Sequence, residues 1–105
     1  MTCSFLGVMP EDQAAAESTE TGSLIAGKIE LDEVTKKAQS LGGDLGARRL
    51  TWIIVQNRAT NSDGSINATN IVVGDSTQQT IELVPGAATD PLPIRNLSDV
   101  YARSL

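Results

Sequence analysis

After Gly46 the chain falls into short apolar runs separated by turn residues. Arg49-Leu-Thr-Trp-Ile-Ile-Val-Gln-Asn57 is β-branched and apolar and reads as a buried strand. Asn61-Ser-Asp-Gly-Ser65 has turn chemistry. Asn67-Ala-Thr-Asn-Ile-Val-Val-Gly74 is the next strand and closes on a glycine. Thr77-Gln-Gln-Thr-Ile-Glu-Leu-Val84 follows and stops at the turn signal Pro85-Gly86. Pro91 and Pro93 keep the chain extended and confine it to an edge or a loop. Asn96 to Ser104 supplies the last strand. Strands spaced roughly every 8–12 residues with turn signals between them indicate an antiparallel β-sandwich or jelly-roll-like domain. Alternation along these strands nominates Leu50, Trp52, Ile54, Ile71, Val73, Ile81, Leu83, Val100 and Ala102 as core.

The first half is less regular. Ile29 and Leu31 alternate with Lys28, Glu30 and Asp32, which predicts a strand over residues 27 to 32. Leu31, Val34, Ala38 and Leu41 instead fit one face of a helix, which Gly42-Gly43 would end. Residues 32 to 41 stay open between the two. No helix–strand alternation suggests a parallel sheet.

Residues 1 to 23 carry Glu11, Asp12, Glu17 and Glu20 and no Lys or Arg. So polar a run has little to set against the entropy of ordering. It reads as an extended acidic arm before a sandwich domain of residues 24 to 105. A short helix over residues 10 to 17 is compatible with Pro10 in its first turn. Phe5, Leu6, Val8 and Met9 cluster near the start, where a merely solubilising tail would have no use for them. They are the candidate partner-binding residues, docking the arm on a neighbouring subunit.

Composition narrows the function. The 105 residues suit one domain, and 40% hydrophobic content is enough for a core. Aromatics are only 3%, which implies a core of aliphatic side chains and argues against a base-stacking platform. A net charge of −5 repels phosphate backbones, so no nucleic-acid partner is expected. No segment is long and apolar enough to cross a bilayer, and residues 1 to 10 lack the pattern of a signal peptide.

The chain has no histidine, the commonest general base and metal ligand. Cys3, the single cysteine, has no histidine to activate it and reads as an inert thiol. Asn61-Ser-Asp-Gly-Ser-Ile66 looks like the middle of an EF-hand loop, but Ala59 and Asn70 stand where its end ligands belong. Gly42-Gly-Asp-Leu-Gly46 lacks the Lys-Ser/Thr pair of a phosphate loop. Asn67-Ala-Thr69 and Asn96-Leu-Ser98 have the form of glycosylation sequons. No catalytic residue, cofactor or metal site is nominated, and the chain reads as a non-enzyme.

Four runs carry a resemblance: Leu50-Thr-Trp-Ile-Ile-Val-Gln-Asn57, Asn70-Ile-Val-Val-Gly-Asp-Ser76, Ile81-Glu-Leu-Val-Pro-Gly86 and Leu97-Ser-Asp-Val-Tyr-Ala-Arg103. Over about residues 48 to 104 the chain resembles small β-sandwich virion proteins of tailed bacterial viruses. That family includes head decoration or cement proteins. The resemblance implies a structural role in a virion, made in the host cytoplasm. Its partners would be the major capsid protein or other virion subunits, and its oligomer a homotrimer. A carbohydrate- or ligand-binding β module displayed on a virion or cell surface is the alternative. An aromatic-lined groove would mark it.

Overall fold

The structure, a computed structural model, describes residues 1–9, 24–42 and 49–105. It is an all-β sandwich of two four-stranded antiparallel sheets. The strands are β1 (Thr2–Val8), β2 (Leu24–Glu30), β3 (Gln39–Ser40), β4 (Trp52–Asn57), β5 (Ile71–Gly74), β6 (Gln79–Leu83), β7 (Leu92–Pro93) and β8 (Tyr101–Ser104). A 3₁₀ turn at Leu97–Asp99 leads into β8. The first sheet has the order β2-β1-β4-β7 and the second β3-β8-β5-β6. β1–β2 and β5–β6 are neighbours within one sheet, and the chain crosses between the sheets at β2–β3, β3–β4, β4–β5, β6–β7 and β7–β8.

The expected arm is corrected over residues 1 to 9. β1 is an interior strand of the first sheet, paired with β2 from Thr2↔Glu30 to Val8↔Leu24 and with β4 from Cys3↔Asn57 to Val8↔Trp52. The physical reason is its alternation: Cys3, Phe5 and Gly7 point inward and are buried, while Ser4, Leu6 and Val8 point outward. Met9, just past the strand, is also buried. Polar composition dominated by residues 11 to 23 obscured this strand. Residues 10 to 23, including the helix considered over 10 to 17, lie outside the described residues.

The core lies between the sheets. Cys3, Phe5, Ile53 and Val55 face Ile71, Val73, Leu83 and Ala102, and Leu31, Leu41, Leu50, Leu97 and Val100 close the sides. Of the nominated core, Leu50, Ile71, Val73, Leu83, Val100 and Ala102 are buried. Trp52 and Ile54 are half-exposed and Ile81 is exposed, while Ile53 and Val55 are fully buried. A run of four apolar residues has no phase of its own, and a one-residue slip exchanges its faces. Pairing with β1 decides it, by placing Val55 beside Phe5 and Ile53 beside Gly7. A side chain at Gly7 would crowd Leu50 and the Trp52 carbonyl, so this inward site stays small.

Residues 32 to 41 are neither a helix nor one strand. Asp32 turns the chain by accepting hydrogen bonds at Oδ1 from the Val34 and Thr35 amides (2.8 and 3.1 Å), and β3 follows. The strand expected at 27 to 32 instead runs from Leu24 to Glu30. Gly74 marks a register shift in β5, where a Cβ would press into the Gln78 carbonyl and Gln79 Cα. Pro93 sits on an edge strand, as expected. The glycine-rich run Gly42 to Gly46 lies largely outside the described residues. No helix among the described residues is long and apolar enough to cross a membrane.

Candidate interaction surface

The two outer faces of the sandwich differ in chemistry. On the second sheet the outward row contains Glu82, Val72 and Arg103, adjacent across β6, β5 and β8. Arg103 Nε also donates to Gln79 Oε1 at 3.2 Å. Val72 is 6% exposed between Glu82 and Arg103, so what this row presents to solvent is polar, as on most exposed antiparallel sheets.

The outward face of the first sheet is apolar over half its length. Strand register sets Ala26, Leu6 and Ile54 side by side, and in the next row Leu24, Val8, Trp52 and Pro93. Leu6 is 36% exposed and Leu24 40%. Val8, Trp52 and Ile54 are partly exposed beside them. The other half of the same face is polar: Lys28, Ser4 and Gln56 form one row, and Thr2 and Glu30 the next. There Thr2 Oγ1 donates to Glu30 Oε1 at 2.7 Å, and Ser4 and Gln56 lie 3.5 Å apart. A contiguous apolar patch rimmed by polar groups is the signature of an interaction site.

The four candidate partner-binding residues divide between these environments. Phe5 and Met9 belong to the protein's own core at 5% and 1% exposure. Leu6 and Val8 lie on the outer apolar face. Sequence reasoning missed Leu24, Ala26, Trp52, Ile54 and Pro93 as members of the same surface. Ile54 and Trp52 were assigned to the core, and no signal in the sequence places four separated strands side by side.

The polar side chains singled out in the sequence have structural partners. Asn57 is completely buried, and its Nδ2 donates to Thr69 O and Leu83 O, both at 3.0 Å. The second of these acceptors lies on β6, so Asn57 ties the first sheet to the second. Asn67 Nδ2 donates to Asn57 Oδ1 at 2.7 Å and to Arg58 O at 2.9 Å. The amide of this sequon is thus enclosed and committed. Asn96 caps the 3₁₀ turn by accepting from Ser98 N at 3.1 Å. Asp63 Oδ1 accepts from the Ser65 amide at 2.9 Å and its hydroxyl at 2.6 Å, closing the turn at Gly64. Burial pushes the Cys3 thiol up to about 12, so it stays protonated at neutral pH.

Trp52 and Tyr101 stand on opposite outer faces and do not converge on one groove. A groove of about 440 Å³ at the side of the sandwich is lined by Val73, Leu92, Pro93, Ile94 and Val100, with Asp75, Arg95 and Asp99. None of these residues is aromatic. No protein-family model, no curated protein and no solved structure matches the chain.

Proposed function

We propose that the protein is a structural virion subunit of the capsid decoration or cement type. It would dock on the capsid lattice, or on neighbouring subunits, through the outer face of its first sheet. The observation that carries this reading is the apolar half-face built by Leu6, Val8, Leu24, Ala26, Trp52, Ile54 and Pro93. An antiparallel sheet that served only stability would present polar residues there, as the second sheet does. The resemblance across residues 48 to 104 supplies the class of partner, a major capsid protein or another virion subunit, and favours a homotrimer. The net charge of −5 disfavours nucleic acid as the ligand.

The test is co-sedimentation with capsids of the virus that encodes the chain. The intact protein should bind with a saturating stoichiometry set by the lattice. A Leu6→Ser/Ile54→Ser variant, altered only on the outer face, should keep its fold and lose binding. Absence of binding by the intact protein, or undiminished binding by the variant, would overturn the proposal.

A further inference from the structure

An edge of the first sheet carries a second inference, independent of what the outer face docks on. β2 is a seven-residue edge strand with no residue fully buried. Edges of that length are usually shortened, bulged or covered. The amide of Leu31 donates to Met1 O at 2.9 Å, so Leu31 directs its backbone groups towards β1. By alternation Ile29, Gly27 and Ile25 do the same, and Ala26, Lys28 and Glu30 direct theirs to the open side. One end of that side is capped. Gln39 acts as a substitute strand residue: its Nε2 donates to Glu30 O at 3.1 Å and its Oε1 accepts from Asp32 N at 2.9 Å. Among the described residues, the outward N–H and C=O groups of Ala26 and Lys28 have no such partner.

We infer that β2 pairs antiparallel with β2 of a second copy across a two-fold axis at Gly27. Three observations select this occupant and register. First, with Gly27 opposite Gly27 of the other copy, Ala26 pairs with Lys28 and Lys28 with Ala26. Those pairs form four hydrogen bonds from the uncapped groups and leave the Gln39 cap intact. Second, the same register sets Ile25 against Ile29 on the inner face in both directions, and both already pack against the core. Third, the groove of about 680 Å³ between β2 and β3 is lined by Lys28 and Lys37 together with Glu30 and Asp32. Its charge is balanced although the chain carries −5, so a second copy meets no like-charge barrier there. Opposed strand residues share a face, so the contact also joins the two apolar outer faces on one side of an eight-stranded sheet. Alone it gives a dimer; combined with three-fold association it gives a dimer of trimers.

Light scattering on the purified full chain, across a concentration series, reads the stoichiometry. The expected mass is two or six chains, and one or three chains would overturn the inference. An Ala26→Pro variant removes an outward N–H that the fold itself does not use, which an edge strand tolerates. It should halve the mass while leaving the circular dichroism spectrum unchanged; an unchanged mass would overturn the inference.

Register is read without relying on that variant's folding. Ala26→Cys and Lys28→Cys chains, each exposed on the outer face, are oxidised each alone and as an equimolar mixture. In the proposed register position 26 lies opposite position 28, at about 5.5 Å between Cα atoms, whereas 26–26 and 28–28 are diagonal at about 7–8 Å. Cross-linking should appear in the mixture and not in either variant alone. Cross-linking within a single variant, or none in the mixture, would contradict the register. Native Cys3 is enclosed in the core and does not compete.

Discussion

Asn57 shows how much of this fold hangs on one side chain. It is fully buried, donates to carbonyls at Thr69 and Leu83, and accepts from Asn67. Asn57→Asp would aim a carboxylate at two carbonyl oxygens with nothing to donate. Urea denaturation should register a loss on the order of 3–5 kcal/mol, the scale of an uncompensated buried charge; a loss under about 1 kcal/mol would mean that the network is dispensable. A second residue-scale test concerns the phase of β4. Ile53→Ala should cost about 2–5 kcal/mol and Ile54→Ala clearly less, because only Ile53 is enclosed. Equal losses would contradict the pairing of β4 with β1.

Three exposed turn carboxylates contribute to the acid side of stability. The Asp32 carboxyl is held below its ordinary 3.8 chiefly by the Thr35 hydroxyl, and that of Asp63 by the Ser65 hydroxyl. The Asp75 carboxyl is held down chiefly by the Gln78 amide, then by Thr77. A carboxyl lowered in the folded state stabilises it fully above the unfolded value and ceases to do so as pH falls through the folded value. Thermal melts should thus show no loss from these turns between neutral pH and about pH 5, and a decline below 3.8. An Asp75→Asn variant should flatten part of that decline. A stability that rises on acidification would refute the assignment.

At the scale of elements, β1 is the decisive strand, because it lies inside the first sheet and pairs with β2 on one side and β4 on the other. Deleting residues 1 to 9 would separate β2 from β4 and uncover Ile53 and Val55. The truncated chain should lack cooperative unfolding by circular dichroism. A truncated chain that still melts cooperatively would restore the idea of a dispensable arm.

Most of the second half of the fold was legible in the sequence, because turn residues bracket each strand there. Pro85-Gly86 follows β6, and Pro93 falls on an edge. β1 was not legible. Its seven residues merge into an acidic stretch, and its alternation is weak because Gly7 and Cys3 are small inward residues. The run Trp52 to Val55 announced a strand but not its phase, which only the pairing with β1 supplies. The break between β2 and β3 is local as well: Asp32 binds its own turn, and no periodicity reports that.

At the scale of the whole molecule, the sandwich has two unequal outer faces. One is polar around Glu82 and Arg103; the other is half apolar around Leu6 and Ile54. The apolar half could not be found by counting along one strand, since its members come from β1, β2, β4 and β7. Two of the four residues nominated for partner binding, Leu6 and Val8, lie on it, although they reach it from within a sheet and not from an arm. The other two, Phe5 and Met9, hold the core beneath it.

The central proposal is that the protein docks on a capsid through this face. Quantitative co-sedimentation with the virus's own capsids tests it most directly, comparing the intact chain, the outer-face variant Leu6→Ser/Ile54→Ser and a control variant, Glu82→Gln/Arg103→Gln, on the opposite face. Melting temperatures measured alongside keep loss of fold separate from loss of contact. The account predicts saturable binding by the intact chain and the control variant, and at least a tenfold weaker affinity for the outer-face variant, about 1.4 kcal/mol or more. Equal affinity for all three, or a loss confined to the control, would contradict it.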